Sequence, residues 1–332
     1  MILIQLIKKL HLTTKYFMII NYITHYTPEI IVPNSYYTEN YGISNEDIIS
    51  KSGIKQRRRI RPDENSNTMA IEAVKKAYNN LPFPINEIDL IIGGTYTPFD
   101  TIGTVAHAVQ KEFNITNSKC FTVDSACSSF VNAMEIVDCY FANSKASKAL
   151  VVISENNSAY NDETDKKSNF LWGDGAAAIF ISNEKYSDKD FEVLDVNTTG
   201  LGHIGKSMEA IYLRPGQGGL QMPFGKDVFQ YACTYMIRET EQILAKNGLS
   251  IDQLSYFIPH QANSRIIDYV AKRLKLDPVR ALINMEQYGN TGSASTPIVL
   301  SQNWERFKAG DTIAISVFGG GYSSGSLLLK KL

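Results

Sequence analysis

The phrase Ile85-Asn86-Glu87-Ile88-Asp89-Leu90-Ile91-Ile92-Gly93 has an echo in Ile251-Asp252-Gln253-Leu254-Ser255-Tyr256-Phe257-Ile258-Pro259, and each phrase follows a segment of helical periodicity. At the same offset, the turn around Cys127 falls on Ser293, beside Tyr288-Gly289-Asn290-Thr291-Gly292. Short apolar runs that alternate with helix-periodic segments and end at glycines or prolines read as an α/β architecture. A duplicated unit of this kind predicts two similar βα halves, here residues 18–185 and 186–332. Their equivalent strand ends should face one central site, because ligands in such folds gather at the carboxyl ends of strands.

In the first half, the apolar run Cys120 to Val123 stops at Asp124-Ser125-Ala126, and a helix-periodic segment continues through Ala133, Met134, Ile136, Val137 and Tyr140. This reads as strand, tight turn and helix, with Cys127 at the start of the helix. Unpaired N–H groups and the positive end of the helix dipole bias a thiol there toward the thiolate. A lone cysteine under a βα turn is more often a small buried apolar residue, so the functional reading requires partners. The second half offers two. The strand Tyr256-Phe257-Ile258 runs into Pro259-His260-Gln261-Ala262-Asn263, and an expected strand Ala281-Leu282-Ile283 leads to Asn290 between glycines. A thiol, an imidazole and a carboxamide, all at strand ends of a duplicated fold, form a catalytic constellation.

Elsewhere the pattern gives a short helix from Asn45 to a glycine cap at Gly53, a helix from about Asn67 to Asn80 and another from about Thr104 to Phe113. A net charge of −1 argues against a general nucleic-acid binder. Arg57-Arg58-Arg59 with Arg61 is either a locally paired loop or a docking point for an anionic carrier or cofactor. The four cysteines form no CxxC pair and no zinc spacing, so a reducing, cytoplasmic setting without metal is expected. No run approaches the roughly 20 apolar residues that a membrane span needs. Residues 1–17 are apolar but interrupted by Lys8-Lys9, and read as an upstream extension or misassigned start, less readily as an amphipathic anchor.

With Gly53-Ile54 and the arginines after it, Asp124-Ser125-Ala126-Cys127, Gly173-Asp174-Gly175-Ala176, Phe224-Gly225-Lys226-Asp227-Val228-Phe229, His260-Gln261-Ala262-Asn263, Tyr288-Gly289-Asn290-Thr291 and Phe318-Gly319-Gly320-Gly321, the chain resembles the ketoacyl-acyl-carrier-protein synthase III (FabH-type) family of the thiolase superfamily. The resemblance runs from about Met18 to the end. It implies a thiolase-like fold of five layers, α-β-α-β-α, and an acyltransferase in which Cys127 holds an acyl group as a thioester. It further implies an oxyanion hole made by backbone N–H groups of Cys127 and Gly320. His260 and Asn290 would hydrogen-bond the second thioester and stabilise its enolate. No metal or redox cofactor is required. The implied partners are an acyl-carrier protein, docking near Arg265, Lys272 and Arg273, and a second copy of the chain, whose Ile102 loop would close the acyl pocket.

Several positions depart from the family pattern. Asp47 stands where a tryptophan normally stacks on the adenine of coenzyme A, Lys51 replaces an arginine, and no arginine occurs between Glu155 and Asp174, where Lys166 and Lys167 lie. A stacking clamp needs a π face and a planar cation, so primers on carrier protein are expected rather than free acyl-CoA. Ile102 replaces a bulky aromatic, which suggests room for a longer or branched chain. With Val32-Pro33-Asn34-Ser35-Tyr36, these departures resemble the DarB-type enzymes of dialkylresorcinol and aryl-polyene lipid pathways. Housekeeping initiation of fatty acid synthesis is the second reading. A catalytically silent ketosynthase partner is the third, and the intact Cys127, His260 and Asn290 argue against it.

Overall fold

The structure is a computed structural model that describes residues 17–332, so the expected extension lies outside the described residues except for Phe17. The strands of the central sheet are β1 (Ile19–Tyr26), β2 (Leu90–Gly94), β3 (Lys119–Val123), β4 (Lys148–Glu155), β5 (Gly175–Ser182), β6 (Phe191–Gly200), β7 (Tyr256–Pro259), β8 (Thr312–Gly319) and β9 (Ser323–Lys331). Packed on them are α1 (Ser66–Lys75), α2 (Val105–Glu112), α3 (Ser129–Ala142), α4 (Gly225–Lys246), α5 (Ser264–Arg273) and α6 (Ser295–Gln302).

The strand order is β7-β8-β9-β6-β1-β5-β4-β2-β3. In the first half β2 pairs in parallel with β3 and β4, while β5 runs antiparallel to β4 and β1. The second half repeats this with β7 and β8 parallel and β9 antiparallel to β8 and β6. The echo seen in sequence is therefore structural. One-turn helices at Ile85–Glu87 and Ile251–Gln253 precede β2 and β7, and α3 and α6 begin at Ser129 and Ser295, equivalent positions of the repeat. The halves join where Ile19 and Ile20 of β1 face Glu192 and Phe191 of β6.

Strand alternation explains the layers. In β8, Ile313, Ile315 and Val317 point to one core and Ala314 and Phe318 to another; in β4, Ala149, Val151 and Ile153 separate from Leu150 and Val152 in the same way. A strand buried on both faces has no polar face to show, which is why these runs are nearly continuous apolar stretches. The inner core places Phe130, Val131, Met134 and Val137 of α3 with Ile298 and Val299 of α6, between strands of both halves. Helices α1 and α2 cover the outer face of the first half, and α4 and α5 that of the second. This is a mixed α/β fold with the helix–sheet–helix–sheet–helix layering expected.

Two local expectations change. The helix expected over 67–80 stops at Lys75 and is followed by a single tight turn, Tyr78–Asn80, beyond which Pro82 holds Leu81 out of helical geometry. The strand expected at 281–283 shrinks to one parallel bridge from Ala281 to Phe257, with the Leu282 N–H donating to the Phe257 carbonyl at 2.9 Å. The chain then leaves the sheet, since the Asn284 N–H is captured by Gln261 Oε1 at 3.0 Å.

Phe130 is fully buried in the inner core. Phe130→Ala should lower unfolding stability by about 3–5 kcal/mol, read as the loss of urea midpoint at unchanged slope.

Candidate active site

Small polar residues shape the turn between β3 and α3. The Asp124 carboxylate accepts the Ala126 N–H at 2.9 Å, the Ser125 N–H donates to Ser129 Oγ at 2.9 Å, and Ser129 Oγ donates to the Ala126 carbonyl at 2.7 Å. Ala126 is held at φ +49°, a region that residues with a Cβ rarely occupy. The strained residue delivers Cys127 to the start of α3.

The β8–β9 connection closes over this turn. A Cβ on Gly319 would stand 2.9 Å from the Ser125 carbonyl oxygen and 3.0 Å from the Cys127 nitrogen, so only glycine permits the approach. Ser323 Oγ donates to the Ser125 carbonyl at 3.1 Å and lies 2.7 Å from Ser128 Oγ. Gly320 is thereby set beside Cys127, on the wall of the same cavities.

His260 follows β7 directly, its N–H donating to the Ser316 carbonyl at 2.8 Å. Its Nδ1 lies 2.9 Å from Ser295 Oγ at the first residue of α6. Ser295 Oγ also accepts the Gln261 N–H at 3.4 Å; with the Ser295 hydroxyl as donor to Nδ1, the neutral ring carries its proton on Nε2. Asn290 is held by its backbone: its N–H donates to the Leu171 carbonyl at 2.8 Å, and its carbonyl accepts the Gly173 N–H at 3.0 Å. Its Oδ1 accepts the Gly292 N–H at 2.9 Å, leaving Nδ2 as a donor with no hydrogen-bond partner among the described residues.

Cys127, His260 and Asn290 are 6%, 4% and 5% exposed and line one cavity of about 50 Å³, with Trp172, Met222 and Phe229 on its walls. A second cavity, about 390 Å³, is lined by Tyr96, Asp124, Ile211, Leu213 and Leu220. Cys127 and Gly320 belong to both.

The electrostatics correct one expectation. Cys127 stands at the helix start, but the thiolate bias is absent: burial pushes the thiol up to about 12, with the Glu155 and Asp124 carboxylates acting in the same direction. The Gly320 N–H and the Tyr96 hydroxyl oppose the rise without cancelling it. Burial likewise holds His260 down at about 4, so the imidazole is neutral at pH 7. Glu155, fully buried at the end of β4, is raised by burial to about 8 despite hydrogen bonds from Ser293 Oγ and, at 2.6 Å, Thr97 Oγ1. At neutral pH the thiol, the imidazole and the Glu155 carboxyl all favour their uncharged forms.

The arginine cluster is not a docking point. Arg57 is completely buried, donating to the Val32 carbonyl, Asn34 Oδ1 and the Phe170 carbonyl and lying over the Tyr37 ring. Arg59 pairs with Glu163 at 2.6 Å, and Arg61 with Glu29, Asp63 and Glu64. Asp47, Lys51, Lys166 and Lys167 are exposed, as are Arg265, Lys272 and Arg273 on α5, which form no ion pair among the described residues. Ile102 is 88% exposed and lines neither of these cavities of its own chain. Sequence reasoning missed Tyr96, Glu155, Asn157 and Ser295. Glu155 had a signal, as the one acid closing an otherwise apolar run, and Ser293 was marked by the repeat offset.

A buried thiol, imidazole and carboxamide gathered at strand ends of a duplicated, five-layered α/β fold define the class of thiolase-like condensing enzymes. Residues 121–201 match the family described as 3-Oxoacyl-[acyl-carrier-protein (ACP)] synthase III, and residues 244–331 match its C-terminal part. A beta-ketoacyl-[acyl-carrier-protein] synthase III of Clostridium perfringens is 35% identical over 92% of this chain and 96% of its own length. The crystal structure of 3-oxoacyl-[acyl-carrier-protein] synthase III from Aquifex aeolicus superposes with a TM-score of 0.87 at 30% identity, covering 95% of this chain and 99% of that one. The priming β-ketosynthase of the R1128 polyketide biosynthetic pathway superposes with a TM-score of 0.86 at 26% identity, covering 96% and 98%. The chain belongs to the 3-oxoacyl-[acyl-carrier-protein] synthase III family, and is an acyltransferase-type condensing enzyme. Among the described residues, no helix is long and apolar enough to cross a membrane.

Alkylation of Cys127 by iodoacetamide, followed by peptide mass, should accelerate about tenfold per pH unit from pH 6 to 9 with no plateau, as expected for a thiol titrating above that range. Glu155→Gln should speed the reaction at pH 9, where the carboxylate is charged, and leave it unchanged at pH 6, where Glu155 is already protonated.

Proposed function

We propose that Cys127 accepts an acyl group from a thioester donor and passes it to a carbanion generated in the cavity lined by His260 and Asn290. The observation that carries this reading is the position of Cys127 at the junction of two cavities, a larger one with Ile211, Leu213 and Leu220 along one side and a smaller one that holds His260 and Asn290. In the first step the Cys127 sulfur bonds to the acyl carbon, the donor's carbon–sulfur bond breaks, and the thiol proton leaves with the departing thiol. The work is divided between two easier steps.

The Cys127 and Gly320 N–H groups would hold the tetrahedral oxyanion, a donor of this kind being worth about 3 kcal/mol in the transition state. In the second step, Nε2–H of His260 and Nδ2 of Asn290 donate to the carbonyl of the extender thioester as its carbon–carboxyl bond breaks, carbon dioxide leaves and the bonding pair stays on the α-carbon as the enolate. The enolate carbon attacks the acyl-Cys127 carbon, the Cys127 thiolate leaves, and a β-keto thioester forms. A neutral His260 suits this role, because it donates without competing as an acid for the carbanion.

The donor we favour is an acyl-carrier protein. Asp47 and Lys51 provide no stacking clamp for an adenine, and the unpaired cations Arg265, Lys272 and Arg273 form a basic rim on α5 suited to an acidic carrier. We assign the enzyme to specialised lipid or polyketide metabolism of the dialkylresorcinol type, joining fatty acyl and β-ketoacyl thioesters, as a homodimer in the cytoplasm. The R1128 priming β-ketosynthase supports a polyketide context at this level of similarity. The name of the Clostridium relative favours initiation of fatty acid synthesis as the second reading.

Intact mass after incubation with acetyl-CoA, medium-chain acyl-carrier protein and β-ketoacyl thioesters separates these readings. Preferential labelling by carrier-bound chains supports the first, and efficient labelling by acetyl-CoA the second. Cys127→Ala should gain no acyl mass, whereas His260→Ala and Asn290→Ala should acylate yet fail to condense; equal loss of both steps would contradict the division of labour. Arg265→Glu should raise KM for the carrier protein and leave acylation by a small soluble thioester unchanged.

A further inference from the structure

Tyr96 stands just beyond β2, on the acyl side of the nucleophile. Its N–H donates to Glu155 Oε2 at 3.3 Å, and its hydroxyl donates to Asn157 Oδ1 at 2.6 Å. Asn157 is itself fixed, completely buried, with Nδ2 donating to the Gly173 carbonyl at 2.7 Å and the Asn290 carbonyl at 3.3 Å. Opposite lies Gly292, at φ +58°, where a Cβ would sit 2.4 Å from the Tyr96 hydroxyl oxygen and 2.8 Å from its ring. The absence of a side chain at Gly292 makes room for this phenol.

Tyr96 lines the larger cavity together with Cys127, but not the smaller one with His260 and Asn290. The ring therefore fills the space between the nucleophile and the wall made by Asn157 and Gly292. An acyl group on Cys127 cannot extend that way. It has to run past Ile211, Leu213 and Leu220, the apolar side of the larger cavity. The carbon next to the acyl carbonyl is two bonds from the sulfur, so a second substituent there projects into the part of the cavity wall that Tyr96 shares with Cys127.

We propose that Tyr96 is the specificity-determining residue of the acyl side, its ring rejecting acyl groups branched next to the carbonyl and steering straight chains along Ile211, Leu213 and Leu220. This rests on the acyl-Cys127 reading above. It places the selection at a residue of the same chain, independently of the Ile102 loop. Selection operates in the acylation step, where the carbon–sulfur bond to Cys127 forms and the donor thiol leaves with the proton.

The test compares initial rates of Cys127 acylation, by intact mass, with butyryl and isobutyryl groups on one and the same carrier, as carrier-protein and as CoA thioesters. The wild-type chain should prefer butyryl by about 10- to 100-fold, the range one misplaced methyl commands in a packed pocket. Tyr96→Thr should bring the ratio below about threefold while still accepting butyryl, and Tyr96→Phe, which keeps the ring, should retain the preference. Tyr96→Leu, which keeps apolar bulk in the wall without the reach of the ring, should also lose the preference and serves if the threonine variant fails to fold. An unchanged ratio in a folded Tyr96→Thr or Tyr96→Leu, or equal wild-type rates with both donors, overturns the assignment of Tyr96 alone. Failure of every donor to label Cys127 removes the acyl-enzyme reading itself.

Discussion

Everything at the site depends on a backbone-to-backbone approach at Gly319. One half of the molecule supplies the Cys127 turn and the other supplies the strand end that covers it, with no room for a single carbon between them. That contact sets Gly320 beside Cys127 and, through the Ser323 and Ser128 hydroxyls, ties the two halves together at the Cys127 turn. Side chains can rearrange around a bulky neighbour, but a main chain that ends a strand and a tight turn held by its own hydrogen bonds cannot. The geometry of the Cys127 turn is therefore set by the strand and helix that flank it.

The second governing fact is the neutrality of the buried groups. Removing water strengthens every dipole that remains and raises the cost of any unpaired charge. The thiol, the imidazole and the Glu155 carboxyl all respond by favouring their uncharged forms. Such a pocket makes a poor resting thiolate and, on the mechanism proposed above, a good place for a carbanion. Fixed donors such as Nε2 of His260 and Nδ2 of Asn290 need no reorganisation when negative charge develops, and little solvent is present to protonate it.

Much of this was legible in the sequence wherever the signal was local. Cys127, His260 and Asn290 could be found because each interrupts or follows an apolar run at a turn, and the repeat tied the two halves to one site. The α/β class followed from runs such as Ala149–Ile153, although only the structure divides their alternate residues between two cores. The charge state of Cys127 was misjudged because helix position is a local property and burial a global one. The arginine cluster, readable as a locally paired loop or a docking point, was left open for the same reason, since nothing near Arg57 in sequence announces that Tyr37 lies beneath it and that the Phe170 carbonyl accepts its hydrogen bond. Tyr96 and Glu155 draw their meaning from Asn157, Gly292 and Ser293, which are distant in the chain. The strand expected at 281–283 failed because a side-chain amide, Gln261, competes for the backbone that would have continued it.

The inner helical layer also bears on how the chain comes to be folded. Helix α3 is complete once residue 142 has been made, but the strands that cover its second face, β6 and β9, arrive only later, β9 ending at Lys331. During synthesis the first half must hold an apolar surface containing Phe130, Val131 and Met134 uncovered until nearly the last residue has emerged. Pairings of such long sequence separation form slowly, and a waiting apolar face is prone to aggregation. The same layer that unites the two halves around the site makes productive folding dependent on the completed chain, so truncation near the C-terminus carries a penalty in soluble yield quite apart from any loss of catalytic groups.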